Sequence, residues 1–183
     1  GMQITTDGIS FSAWIYLTTL YNCQQFLCIS NGVANLTTNS GTSNGITFSL
    51  GITGSNYYLR MISYNNGVLY NGTNTDPGSS YYINTNTWYH IAGTVQYAGT
   101  GGASSIYTYY LNGVKYLQEI SGYPVTGTYN NNYIGVSSVG YVGGITTGNI
   151  DDFRFYNKVL SSSDVTTLYN YKYQQVIVSN NNF

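Results

Sequence analysis

The amino-acid sequence predicts an all-β, antiparallel fold with one short helix near its carboxyl end. Three observations carry this reading. Several segments alternate apolar and polar residues with a period of two, the intervals between them are rich in Asn and Gly, and Tyr and Asn are over-used while Ala, Glu and Lys are scarce. The compositional signal is the weakest, because an AT-rich genome favours Asn, Tyr and Ile codons whatever the fold.

The alternating segments are Ile9 to Leu17, Ile46 to Ile52, Tyr57 to Ile62, Trp88 to Val95, Ile106 to Leu111 and Ile150 to Tyr156. Successive side chains of a strand point to opposite faces, so each segment reads as a half-buried strand. Between them stand Asn31-Gly32, Asn44-Gly45, Asn65-Asn66-Gly67, Asn71-Gly72 and Asn112-Gly113, residue pairs that accept the positive φ of tight turns. Tyr110 to Tyr116 is the clearest hairpin, with Asn112-Gly113 at its tip, whereas residues 97–105 are small and aperiodic and read as an exposed loop. Leu160 to Tyr169 carries a serine cap, the early acidic Asp164 and apolar Leu160, Val165, Leu168 and Tyr169, which predicts a short helix. Gln174 to Val178 then reads as a further strand and residues 179–183 as a frayed tail. No long linker or fixed-period repeat divides residues 1–183, so one domain is expected.

With 183 residues, 42% of them hydrophobic, the chain can bury a full core. Only 6% of residues are charged, five basic against six acidic for a net charge of -1. Such a surface has no basic field for nucleic acid, and no apolar run approaches the ~20 residues of a membrane span. The first residues, Gly1 to Asp7, lack the regions of a signal peptide, and Gly1 reads as an expression scar. The chain is then either a native amino terminus or a module cut from a longer protein. Cys23 and Cys28 either close a small hairpin loop as a disulfide in an extracellular setting or remain free thiols. The apolar run Phe26-Leu27-Cys28-Ile29 favours buried free thiols, and two cysteines without nearby histidines are too few for zinc.

The ordered pieces Ile9-Ser10-Phe11-Ser12-Ala13-Trp14-Ile15, Thr87-Trp88-Tyr89-His90-Ile91-Ala92-Gly93-Thr94, Tyr110-Leu111-Asn112-Gly113, Tyr133-Ile134-Gly135 and Gly148 to Leu160 resemble the laminin-G-like, concanavalin A-like jelly roll. The resemblance spans roughly Ile9 to Tyr169 and implies an antiparallel two-sheet jelly-roll sandwich. Family members usually carry a strand before the one containing Trp14. Few residues precede it here, so the strand expected at Gln174 to Val178 is the candidate for that vacant edge.

Relatives of this fold include glycoside hydrolases, whose chemistry needs two carboxyl groups flanking one bond. The acids here are Asp7, Asp76, Glu119, Asp151, Asp152 and Asp164, with no cluster like that of the family hydrolases, and adjacent Asp151 and Asp152 point to opposite faces of a strand. Catalytic residues are therefore not expected. His90, the single histidine, follows Trp88 where the resemblance implies a packing histidine. Asp151 resembles the aspartate with which jelly-roll relatives hold a structural calcium ion, backbone carbonyls supplying most other ligands. The alternative for Asp151 is a turn cap or a pairing with Arg154 or Lys158.

The 22 tyrosines offer flat faces for pyranose rings and hydroxyls to bond them, with Tyr57, Tyr64, Tyr70, Tyr81, Tyr97, Tyr129 and Tyr141 as candidates for exposure. Half or more of the tyrosines are expected to be structural, and the residues of a sugar site are not legible. The leading expectation is a lectin-like or adhesive module on a cell, virion or extracellular surface, binding glycan or glycoprotein, without nucleic-acid binding or membrane insertion. A structural or protein-interaction domain is the alternative, and a glycoside hydrolase relative comes third.

Overall fold

The computed structural model describes residues 1–31, 44–65, 68–71, 76–98, 103–136 and 146–180. Twelve strands and one helix appear among them: β1 (Met2–Ile4), β2 (Ile9–Leu17), β3 (Gln25–Ser30), β4 (Gly45–Thr53), β5 (Asn56–Asn65), β6 (Val68–Asn71), β7 (Trp88–Gln96), β8 (Ala103–Leu111), β9 (Val114–Gly122), β10 (Gly127–Tyr129), β11 (Asn131–Ile134), β12 (Gly148–Tyr156) and α1 (Ser162–Asn180). A front sheet has the order β11-β3-β4-β5-β6, a back sheet the order β12-β2-β7-β8-β9, and β1 pairs with β10. Every pairing is antiparallel. The expected jelly-roll sandwich is the observed architecture.

The core lies between the two sheets. Ile9, Phe11, Ala13, Ile15 and Leu17 on β2 meet Phe48 and Leu50 on β4 and Met61 on β5, and the rings of Phe11 and Phe48 are 3.9 Å apart between centroids. Alternation on β2 places Ser10, Ser12, Trp14 and Tyr16 on the opposite face, away from the front sheet. Buried side chains of this kind supply about 1.5–3 kcal/mol each when removed from water, which is what closes the sandwich.

Two turns show how local sequence sets register. Asn112 and Gly113, with φ of 50° and 79°, join β8 to β9 where Leu111 faces Val114. Positive φ at both central residues matches the twist of a two-residue hairpin, as Asn-Gly predicts. Gly54, with φ of 57°, performs a similar service between β4 and β5, where Thr53 faces Asn56. Asn44-Gly45, in contrast, opens β4 rather than forming a turn tip. Ala103, Ser104 and Ser105 also depart from the expected loop, since they lie on β8 and pair toward β9.

The carboxyl end corrects the sequence reading. Gln174 to Val178 is not a strand at a vacant edge: α1 runs through it without interruption. Ser161 and Asp164 start the helix by a reciprocal cap, the Ser161 Oγ accepting the Asp164 amide at 3.1 Å and Asp164 Oδ2 accepting the Ser161 amide at 2.9 Å. No Gly or Pro follows before residue 180 to stop it, and this continuity outweighs the strand preference of Val176, Ile177 and Val178. The strand preceding β2 exists as well, but as three-residue β1 paired with β10.

The first turns of α1 cover the outward face of the back sheet. Val165 and Leu160 pack on Ala92 and Tyr110, and the Tyr169 ring stacks on Trp14 at 5.6 Å. Ser10 ties the approach to the helix down, its Oγ donating to the Lys158 carbonyl at 2.7 Å and accepting the Leu160 amide at 2.9 Å.

Candidate functional site

The front sheet turns one face to the core, and polar chemistry collects on the other. Ile46, Phe48 and Leu50 of β4 and Leu59 and Met61 of β5 point inward, so Thr47, Ser49, Gly51, Tyr58, Arg60, Ile62 and Tyr64 point outward. Register sets Ser49 opposite Arg60 and Gly51 opposite Tyr58. From β3, Gln25 faces Ser49 and Cys28 faces Thr47, and on β11 the exposed Tyr133 faces Cys28.

Gln25, Thr47, Ser49, Tyr58 and Tyr64 are all buried. Yet Gln25 Oε1, Thr47 Oγ1, Ser49 Oγ, Tyr58 OH and Tyr64 OH find no hydrogen-bond partner among the described residues. Buried polar groups are almost always bonded, and leaving one unsatisfied costs about 1–3 kcal/mol. Five such atoms on one sheet face concentrate unmet hydrogen-bonding capacity there.

The electrostatics keep this face in one protonation state. Burial raises the Tyr58 and Tyr64 phenols above their usual range, with the nearby Arg60 guanidinium opposing the rise in both. Each phenol is therefore neutral at neutral pH and offers a donor as well as an acceptor. The Tyr58 ring lies over Gly51, where an added Cβ would meet it at 2.8 Å, so the glycine is what lets the ring lie flat on the sheet. Arg60 Nη2 donates to Cys23 Sγ at 3.1 Å. Cys23 and Cys28 are free thiols in this structure, consistent with the second of the two cysteine alternatives.

The residues singled out from sequence fall in several places. Of the tyrosines, Tyr64 belongs to this face but is buried, and Tyr129 is buried with its hydroxyl on the Val125 carbonyl, so neither is the exposed residue expected. Tyr57, Tyr70, Tyr81 and Tyr97 are half-buried, Tyr81 stacking on Tyr116 at 4.7 Å and Tyr97 meeting Tyr123 edge-on at 5.0 Å. Tyr141 lies outside the described residues. Sequence reasoning passed over Tyr58 and Arg60, although a lone charged residue inside the alternating Tyr57 to Ile62 segment was a signal that could have found the latter.

His90 sits on the back sheet beneath α1, its ring 5.5 Å from Trp14 and 5.9 Å from Tyr169. Burial pushes its pKa down to about 4; Asp152 opposes the fall and Arg154 adds to it. Asp151 is exposed on β12 opposite Trp14, and its Oδ1 accepts the Asp152 amide at 2.7 Å. A register shift follows, Asp152 takes a φ of 48°, and its carboxylate holds Arg154 by two bonds of 2.9 and 3.2 Å. Arg154, one of the two partners considered for Asp151, is thus held by Asp152. No group of three or more His, Cys, Asp or Glu that could hold a metal occurs among the described residues. Glu119 lies between the sheets and accepts the Tyr109 hydroxyl at 3.0 Å.

A second aromatic surface lies beyond the helix. Tyr16 and Trp88 are cross-strand partners with ring centroids 5.6 Å apart, and Tyr16 OH donates to Asn86 Oδ1 at 3.4 Å. Trp88 is 43% exposed, so this pair is open to solvent.

Residues 2–166 match the family model Laminin_G_3, described as the concanavalin A-like lectin/glucanases superfamily. No curated protein matches the chain. Among solved structures, the chain is similar to domain 4 of AbnA, a GH43 extracellular arabinanase from Geobacillus stearothermophilus in complex with arabinotriose, at 21% identity and a TM-score of 0.59 over 89% of this chain and 66% of that one. It is also similar to a putative carbohydrate binding protein from Bacteroides ovatus, at 18% identity and a TM-score of 0.57 over 88% of this chain and 40% of that one. The CBM40 of a Ruminococcus gnavus IT-sialidase, bound to alpha2,3 sialyllactose, gives 13% identity and a TM-score of 0.55 over 89% and 83%. These likenesses are of fold, and the chain spans less than two thirds of the length of the first two.

Proposed function

Since the chain belongs to the concanavalin A-like lectin/glucanases superfamily, we propose that it is a non-catalytic saccharide-binding module whose site is the outward face of the front sheet. The observation that carries this reading is the set of five buried polar atoms without partners on that face. Saccharide hydroxyls donate and accept, so they satisfy such atoms where an apolar ligand does not. The neighbours seen with arabinotriose and sialyllactose support a glycan or glycoprotein partner. The five strands of the front sheet carry no carboxylate, whereas glycoside hydrolysis needs two beside the bond. We place the module on an extracellular, cell or virion surface as part of a larger protein. No helix among the described residues is long and apolar enough to cross a membrane.

The test is a broad glycan panel with the wild type, Ser49→Ala, Tyr58→Phe and Trp88→Ala. Loss of one ligand hydrogen bond worth about 1.4 kcal/mol weakens binding about tenfold, so Ser49→Ala and Tyr58→Phe should each lose about that much while Trp88→Ala binds normally. Ser49→Ala should also leave the melting temperature unchanged or raised, since it deletes an unsatisfied buried hydroxyl. The floor atoms are shut off from bulk water, so engagement requires a local rearrangement that slows association. The reverse mutational pattern moves the site to the Tyr16–Trp88 surface. Absence of binding to every glycan favours a protein-interaction domain, for which Val114 and Ile120, exposed on edge strand β9, are the supporting observation.

A structural calcium at Asp151 remains part of the proposal. One carboxylate is a sparse donor set, so backbone carbonyls and water would supply the other ligands. If calcium is held there, a chelator lowers the melting temperature; identical melting curves with and without chelator reject it.

A further inference from the structure

We infer that α1 is a latched cover: its Tyr169 turn closes over Trp14 and His90 at neutral pH and lifts in acid, while the sandwich and the start of the helix stay in place. The inference is independent of the saccharide site and concerns the opposite sheet.

Register lays out what the latch covers. Trp14 of β2 faces His90 of β7, and two residues along the same strands Tyr16 faces Trp88. Two residues make one full period of a strand, so all four rings stand on the outward face of the back sheet. Tyr169 lies 5.6 Å from Trp14 and 5.9 Å from His90, whereas Trp88 is exposed. Lifting Tyr169 therefore extends an open pair of rings into a strip of four.

The closed latch leaves polar atoms unmet. Trp14 Nε1 and His90 Nδ1 are both buried and find no hydrogen-bond partner among the described residues. Such atoms are costly to enclose, and water reaches them once the ring above moves. Acid sharpens the conflict, because a protonated imidazole donates from both nitrogens and Nδ1 has no acceptor beneath the helix. Burial accordingly pushes the His90 pKa down to about 4. From β12, Asp152 favours the imidazolium and Arg154 opposes it, and the Asp152 carboxylate is already held to Arg154 by its two bonds. Trp14 from β2 is uncharged, as is Asn112 from the β8–β9 turn, whose Oδ1 accepts the His90 amide at 3.0 Å. From α1 the facing group is the Tyr169 phenol.

The contacts of α1 separate its anchor from its latch. Leu160 and Val165 are buried with Ala92 and Tyr110 in a cluster apart from the inter-sheet core. The Tyr110 hydroxyl meets Ser162 Oγ at 3.2 Å, and Thr166 Oγ1 donates to the Gly113 carbonyl at 3.1 Å. Beyond Thr166 the helix turns half-buried Leu168 and Tyr169 to the sheet, and Tyr171 is exposed. Segments with little buried apolar contact open locally, well below the free energy of global unfolding. The core between the sheets does not depend on Tyr169, so the turn can leave without unpacking it.

The experiment reads Trp14 alone, in the full chain carrying Trp88→Phe, since the chain has two tryptophans. From pH 7.5 to about 4.5 the Trp14 emission should move to longer wavelength and acrylamide quenching should rise about threefold, while circular dichroism keeps its strand signal and melting stays cooperative. Adding His90→Gln should remove most of that rise. Adding Tyr169→Ala instead should give the acid level of quenching already at pH 7.5. In the unsubstituted chain, hydrogen exchange corrected for its intrinsic pH dependence should lose protection over residues 167–171 in acid and keep it in β2 and β7. Exposure of Trp14 that comes only with loss of the cooperative melt overturns the inference. An equal rise in quenching with His90→Gln, or a Trp14 as shielded in Tyr169→Ala as in its parent, overturns it likewise.

Discussion

His90 shows how one buried side chain makes stability depend on pH. Its neighbours are Trp14 on β2, Tyr169 on α1, and Asp152 and Arg154 on β12. Burial holds its pKa at about 4, below the 6.5 of an exposed imidazole, so between these values the unfolded chain binds a proton that the folded protein refuses. The stabilisation is complete above pH 6.5 and is lost as pH falls toward 4, amounting to about 3 kcal/mol across the window. Melting temperature should thus fall between pH 7 and pH 4, and His90→Gln should flatten that dependence; a profile identical in both proteins argues that other groups govern it. At this scale the family resemblance was informative about His90, since it implies a packing histidine after Trp88 and the ring is buried beside Trp14 and Tyr169. It was silent about Ser49 and Tyr58, because an unsatisfied hydroxyl is a property of neighbours brought together by register and leaves no pattern along the chain.

Elements were legible in proportion to their length and to the contrast between their faces. β2 was read to the residue because nine positions alternate and both flanks change character. Strands of three or four residues, β1, β6, β10 and β11, are shorter than any periodic signal and are defined by their partners. α1 failed in the opposite sense, since β-branched residues near its end mimic a strand and the decisive fact was the lack of a breaker. The β8–β9 turn and α1 depend on each other. Thr166 Oγ1 donates to the Gly113 carbonyl at 3.1 Å, and a Cβ at Gly113 would meet the Tyr169 ring at 3.0 Å. Gly113→Ala places a side chain at positive φ and pushes on that ring, and should cost about 1–2 kcal/mol in denaturant unfolding. An undiminished stability would show that the helix yields freely, and hence that its docking contributes little.

The whole molecule divides its labour between two outward faces. One is occupied by the helix, which leaves Trp14 and His90 enclosed; the other, with Arg60 at its middle, is where we place recognition. The antiparallel strands could be anticipated from alternation and turn chemistry and the two-sheet sandwich from the family resemblance, whereas the choice of face could not, since it depends on where α1 folds back. The back sheet has one further property. β12 pairs with β2, and the Ser10 hydroxyl grips the chain at Lys158 and Leu160, so the second strand of the fold is flanked by its last described strand. Until that late segment emerges, β2 has an open side, and closing so long a loop is a slow, entropically costly step. A fold of this topology completes its native contacts only after β12 has emerged, and nascent β2 remains an aggregation-exposed edge that a chaperone or a neighbouring domain must tolerate in the interval.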